Sequence, residues 1–174
     1  MKRMQFLGAI ALATALPFAV QAEGFYLGIQ AATFDVSTGT VDGDGNGIGV
    51  LAGYRFQLTS DYYAEAEIGY SKLNGDTETG LSEYDSQTFL DFGVGRYLTD
   101  TTSLSVHLGY TEIDFENSGS DLSSDGAIIG VQLGYDFSPV DTIAIRASYS
   151  DTNESTFDQD SDGRVLSVRY VRRF

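Results

Sequence analysis

Between Phe25 and Phe174 the apolar residues fall on alternate positions in eight separate stretches. Phe25, Leu27, Ile29 and Ala31 form the first, and Ile48, Val50, Ala52, Tyr54 and Phe56 the second. Ala64, Ala66, Ile68 and Tyr70 follow, then Leu90, Phe92 and Val94, then Leu104, Val106, Leu108 and Tyr110. The sixth holds Ala127, Ile129, Val131, Leu133, Tyr135 and Phe137, and the seventh Ile143, Ile145, Ala147 and Tyr149. Leu166, Val168, Tyr170 and, beyond Arg172, Phe174 form the last. A period of two over about ten residues is the strand period, so the chain reads as eight β-strands. The connections alternate as well. Long ones are expected at 35–47, 73–85, 112–125 and 151–162, and tight ones at Leu58–Asp61, Thr99–Thr102 and Ser138–Asp141. In an antiparallel up-and-down order, long loops then leave one end and short turns the other. The predicted class is all-β, an eight-stranded barrel.

Which face looks outward separates a soluble barrel from a membrane one. Opposite the apolar set stand Gly28, Gly53, Gly69, Gly93, Gly95, Gly109, Gly130 and Gly134, mixed with Gln30, Gln132 and charged residues. Beyond the first 22 residues Lys72 is the only lysine. A solvated outer face favours Lys, Thr and Glu; glycines among paired charges suit a cramped interior. Apolar-out and polar-in is the pattern of transmembrane barrels. The aromatics agree. Tyr54, Phe56, Tyr62, Tyr135, Phe137, Tyr170 and Phe174 gather at the short-turn end, and Tyr70, Tyr110 and Tyr149 close the bands at the other. Two belts one apolar band apart are interfacial girdles.

The first residues fit that destination. Lys2 and Arg3 precede an apolar run from Phe6 to Val20, and Val20-Gln21-Ala22 ends it with small residues at −3 and −1. This is the layout of a cleaved secretory signal, which predicts residues 1–22 as leader and 23–174 as one barrel domain. The run of about 15 residues, with Pro17 near its end, is short for a membrane helix of about 20. The remaining chain carries 8 bases against 25 acids, a formal charge of 8 − 25 = −17. Such a surface repels nucleic acid and anionic headgroups. The chain has no Cys, which rules out a disulfide framework and a lipidated cysteine anchor. With 11 Tyr, 11 Phe and 42% apolar residues, the charge does not imply disorder.

By strand parity the interior holds Arg55, Arg146, Arg169 and Arg173 against Glu65, Glu67, Asp91 and Asp136. Buried charge is costly unless paired, so these are expected to form a salt-bridged network with Gln30, Gln132 and His107. Eight strands enclose room for side chains or one small ligand, which predicts a plugged lumen. A narrow solute channel is the alternative. His107, the only histidine, lies two residues from Ser105. Strand spacing places such side chains nearly 7 Å apart, so His107 is read as a network member and no catalytic residue is assigned.

The stretches GFYLG (24–28), GYRF (53–56), EIGYSKL (67–73) and the terminal strand resemble the small eight-stranded outer-membrane barrels of the OmpA/OmpX type, the outer membrane protein beta-barrel domain family. The resemblance covers the whole chain after the leader and is strong for the superfamily, weak for any subfamily. It implies an integral outer-membrane location, with long loops extracellular and short turns periplasmic, among outer-membrane lipid and lipopolysaccharide. It also implies that Leu166, Val168, Tyr170 and Phe174 form the C-terminal signal read by the barrel-assembly machinery. Arg172 departs from that pattern, standing where an aromatic is often found. No peptidoglycan-binding segment follows, so that family role is not carried over. Some family members modify lipid, which makes an enzyme the third and weakest reading.

The four expected loops contain 17 acids and no base. DGDGNG (42–47) and DQDSDG (158–163) match the first half of a calcium loop, but the twelfth positions are Gly53 and Arg169 where Glu is required. Closing the barrel brings the two loops together, so Asp42, Asp44, Asn46, Asp158, Asp160 and Asp162 are the candidate ligands of one shared calcium site. Two diffusely solvated acidic loops are the competing reading. No cofactor is required. The expected protein is a monomeric, non-enzymatic barrel with a structural or surface-interaction role and an unnamed extracellular partner.

Overall fold

The computed structural model describes residues 22–38, 41–77, 82–117, 120–154 and 159–174. The predicted leader therefore lies outside the described residues, apart from Ala22. The strands are β1 (Ala22–Thr38), β2 (Val41–Gln57), β3 (Tyr62–Thr77), β4 (Ser82–Tyr97), β5 (Thr102–Asn117), β6 (Ser120–Asp136), β7 (Asp141–Glu154) and β8 (Gln159–Arg173). Each pairs antiparallel with its neighbours in sequence, and β8 returns to β1, so the sheet closes into a barrel without an edge.

The short turns share one device. The hydroxyl of Thr59 accepts the backbone N–H of Asp61 and Tyr62, and that of Thr99 accepts from Thr101 and Thr102. Ser138 does the same for Val140 and Asp141. A Ser or Thr hydroxyl that takes over turn donors leaves no orphan N–H at the strand ends.

The other end corrects the sequence reading. Most of the residues expected as long loops are strand. β1 and β2 stay in register from Arg55 to Val41, through the whole DGDGNG stretch, and β5 and β6 stay paired to Asn117 and Ser120. Gly and Asp composition suggested loops, but cross-strand hydrogen bonding continues through these residues.

Around the band the expected outward set is exposed, including Ile29, Val50, Phe92, Val106, Ile129, Val131, Leu133 and Val168. The interior is crowded. A Cβ at Gly95 would overlap the Tyr63 ring, and one at Gly69 the Phe89 ring, so these two glycines are the floor on which interior aromatics lie. Beyond the Tyr70, Tyr110 and Tyr149 level the facing reverses. Phe34, Leu73 and Ile113 turn inward and pack with Val36, Tyr84 and Val165. Asp35, Asp44, Asp76, Asp114 and Asp125 turn outward.

Candidate functional site

The middle of the barrel is a connected set of charges. Register explains the first contacts. Arg55 stands opposite Glu65, Gln132 opposite Arg146 and Gln30 opposite Arg169. Each of these pairs bonds: Arg55 Nε and Nη2 donate to Glu65 Oε2 at 3.0 Å, and Arg146 Nε and Arg169 Nε donate to the two glutamine carbonyls at 3.1 Å. Glu67 and Asp91 also face each other across β3 and β4, an unfavourable carboxylate pair. Arg146 Nη1 resolves it by reaching both, at 3.2 Å to Glu67 Oε1 and 2.7 Å to Asp91 Oδ2. Arg169 Nη2 adds a 2.6 Å bond to Glu67 Oε1, and the Tyr26 hydroxyl donates to Glu67 Oε2 at 3.0 Å. Arg169 Nη1 and Arg146 Nε share Gln132 Oε1, and Gln30 Nε2 passes the chain on to Ser71.

These groups lie out of water. Arg169 is 1% exposed, and Glu65, Glu67, Asp91 and Arg146 are all buried. Arg55 lies over the Tyr63 ring at 4.0 Å and Arg169 over Phe89 at 5.8 Å, so aromatic faces cover guanidinium surface that carboxylates leave bare. Arg173 sits nearer the short-turn mouth, 3.4 Å from Asp136 and bonded to the Pro139 carbonyl. The eight charged residues named from the sequence all face the interior, and each has an ion-pair partner within the set, Asp136 pairing with Arg173 and Arg55 with Glu65. The aromatic partners Tyr26, Tyr63 and Phe89 were not named from the sequence, although they fall on the same inward parity.

His107 corrects a geometric expectation. Its Nδ1 lies 3.0 Å from Asp91 Oδ1 and its Nε2 2.9 Å from Ser105 Oγ, so the two strand neighbours do meet. The position of the ring proton sets the roles: with Nδ1–H donated to Asp91, Nε2 can accept the Ser105 hydroxyl, whereas a proton on Nε2 would face Glu65 Oε1, 3.2 Å away. Ser, His and Asp in this order form the hydrogen-bond chain of a hydrolytic triad. Its surroundings are those of a buried network. Ser105 and His107 are each 2% exposed, and Arg146 Nη2 lies 3.0 and 3.2 Å from the two ring nitrogens.

The Asp-rich stretches lie apart from this set. Asp42, Asp44 and Asn46 occupy alternate outward positions on β2, and Asp160 and Asp162 on β8; Asp158 lies outside the described residues. Asp42 accepts the Ser37 hydroxyl, Asp160 the Asn153 amide and Asp162 the Tyr149 hydroxyl. Strand β1 separates the two rows, since Ser37 pairs with Asp42 on one side and Asp162 on the other. Among the described residues no group of three or more His, Cys, Asp or Glu is placed to hold a metal ion.

At the C-terminus Phe174 donates its N–H to the Phe25 carbonyl at 2.9 Å, closing the seam; the residue is 71% exposed, its ring beside that of Phe25. Leu166 and Val168 face outward below it, and Tyr170 is half-buried. Arg172 is exposed and pairs with Asp141 at 3.3 Å. At this turn end the Tyr170 hydroxyl, then that of Ser138, donates to Asp141 and holds its carboxyl below the ordinary value.

The family model for the outer membrane protein beta-barrel domain matches residues 6–174. The chain belongs to the outer membrane protein beta-barrel family. It is accordingly an integral outer-membrane barrel, and the exposed apolar band is its lipid face. Solved structures share the fold. Ail, the attachment invasion locus protein of Yersinia pestis, is 21% identical, with a TM-score of 0.55 over 86% of this chain and 99% of that one. Neisserial surface protein A is 21% identical with a TM-score of 0.56, covering 88% of this chain and 99% of its own. An outer membrane channel from Pseudomonas putida is 10% identical with a TM-score of 0.50, covering 92% and 100%. No curated protein matches the sequence.

Proposed function

We propose that this outer-membrane barrel is non-enzymatic, that its interior is closed to free diffusion, and that its acidic outer end meets partners at the cell surface. One observation carries the closure. Arg146 on β7 bonds to Glu67 on β3, a strand four places away in either direction round an eight-stranded ring, so the contact spans the lumen's diameter. Arg169, Gln132, Asp91 and His107 fill the same level. A solute crossing here must separate buried ion pairs, which is costly when a partner is left uncompensated.

The short turns lie in the periplasm on this reading, and the reversed end projects outside the cell. Its outward acids suit a cationic partner. A structure of Yersinia pestis Ail holds the heparin analogue sucrose octasulfate; the acid-rich rim here has the charge to repel a polysulfate. The C-terminal strand, with Leu166, Val168, Tyr170 and Phe174, serves as the insertion signal for the assembly machinery. The Ser105–His107–Asp91 chain serves structure, since the buried hydroxyl offers a substrate no approach.

Single-channel recording in planar bilayers tests the closure. Wild type should give little steady conductance, and Arg146→Ala should raise it. A large, stable wild-type conductance would favour a narrow solute channel instead.

A further inference from the structure

We infer that Arg164 and the apolar groove beside it seat one molecule of lipopolysaccharide, the guanidinium holding a phosphate of the lipid anchor and the groove an acyl chain. The inference rests on the membrane placement and orientation proposed above.

Two described cations face outward toward the extracellular end, Lys72 and Arg164. Lys72 is occupied, because its ammonium pairs with Asp85. Arg164 forms no ion pair with any described residue. It stands opposite Tyr149 on β7, at the level of the upper aromatic belt, where lipid headgroups give way to acyl chains. One step toward the band, Ala147 pairs with Leu166. The small Ala147 side chain, flanked by Ile129 and Val131, leaves a groove of about 480 Å³ that Arg164 also lines. That volume lies in the range of about 300–1,000 Å³ common for small-molecule sites. Cation above and apolar channel below match an acylated phosphate in both charge and polarity.

The acids nearby sharpen the assignment. Asp35 faces Arg164 across β1 and β8 and lines the same groove, and Asp162 lies two residues along β8. Neither forms an ion pair with the guanidinium at this spacing. A phosphate brings more charge and more acceptor oxygens than a carboxylate and suits the planar guanidinium fork. Elsewhere the rim repels anionic headgroups, so the lipid is held at this one place. The Lys72 side serves as an internal comparison. Its groove of about 740 Å³, lined by Ile29, Ala31, Ile48 and Val50, is apolar too, but its cation is already paired.

The test uses full-length mature barrel refolded into nanodiscs of phosphatidylcholine with a small fraction of lipopolysaccharide. After mild detergent extraction, native mass spectrometry counts glycolipid retained per barrel. Wild type should retain one molecule. Arg164→Gln should lower retention roughly tenfold, the effect of losing one hydrogen bond to a charged group. Ala147→Phe, which fills the groove and leaves Arg164 in place, should lower it as well; Lys72→Gln should not. Enzymatic removal of the phosphates should abolish the difference between wild type and Arg164→Gln. Equal retention by those two proteins would overturn the seat, as would phosphatidylglycerol displacing the glycolipid at equal concentration. Heat-dependent gel mobility shows that each variant is folded and inserted. A wild type that does not enter nanodiscs would overturn the membrane reading and the seat together, whereas insertion with unselective retention overturns the seat alone.

Discussion

The membrane band and the outer end are built from the same eight strands with opposite facing. In the band Phe92, Val106, Val131 and Leu133 look outward, while Glu67, Asp91, Arg146 and Arg169 look inward. Past Tyr70, Tyr110 and Tyr149, Asp44, Asp76, Asp114, Asp125 and Asp162 look outward, while Phe34, Leu73 and Ile113 look inward. Backbone pairing runs across the switch without a slip between β1 and β2 and between β5 and β6, while β4 shifts register there against β3 and β5 and then pairs again. What changes is the solvent. Lipid favours apolar surface and leaves polar groups to satisfy one another inside; water favours the charged surface and drives apolar side chains to the interior. Two kinds of core therefore stack in one lumen, ionic below and apolar above.

The largest expected effect comes from breaking the ionic core. Arg146→Ala leaves Glu67 and Asp91 facing each other with one fewer counter-charge, and should destabilise by about 3–5 kcal/mol in urea unfolding from lipid vesicles. The apolar core should respond to truncation instead. Leu73→Ala should cost about 2–5 kcal/mol in the same assay, through lost burial and the cavity left among Phe34, Ile113 and Val165. The outer faces invite a matched pair. Arg at Val131, on the lipid face, should cost about 2–4 kcal/mol, whereas Arg at Asp125, further along β6, should stay within about 0.5 kcal/mol. If both substitutions cost the same, the two regions do not differ in solvent.

The smallest effect is at the turn end. The Tyr170 and Ser138 hydroxyls keep Asp141 ionised below its ordinary range. Its stabilising contribution is then fully present above the unfolded value of about 3.9 and is lost as pH falls through the lower folded value. Asp141→Asn should therefore flatten a slight loss of stability below about pH 4 and leave neutral behaviour nearly unchanged, as followed by thermal melts against pH.

The band was legible in the sequence because lipid imposes one rule on every outward position, and eight alternating stretches obey it. The interior charges followed from parity alone. Their partners did not, because pairing depends on register and on the reach of arginine: Glu67 meets Arg146 from across the barrel as well as Arg169 from β8. The contact of His107 with Ser105 was missed because Cα spacing along a strand says little about where a ring nitrogen ends. The outer strands were missed for another reason. Residues such as 42–47 have the Gly and Asp content of loops, yet the signal was there in TEIDFE (111–116). Alternation persists in it with reversed phase, Ile113 inward and Asp114 outward. A phase reversal at an aromatic belt marks a barrel that outgrows its membrane.

That reversal is the centre of the account, and the absence of Cys makes it directly measurable, since each introduced cysteine carries the only label. Spin labels placed singly at Ile129, Val131, Leu108, Asp114 and Asp125 in lipid vesicles can be probed with oxygen, which partitions into lipid, and with a water-soluble nickel chelate. The account predicts high oxygen and low nickel accessibility at Leu108, Ile129 and Val131, and the opposite at Asp114 and Asp125. Lipid-like accessibility at Asp114 and Asp125, or aqueous accessibility at Val131, would contradict it.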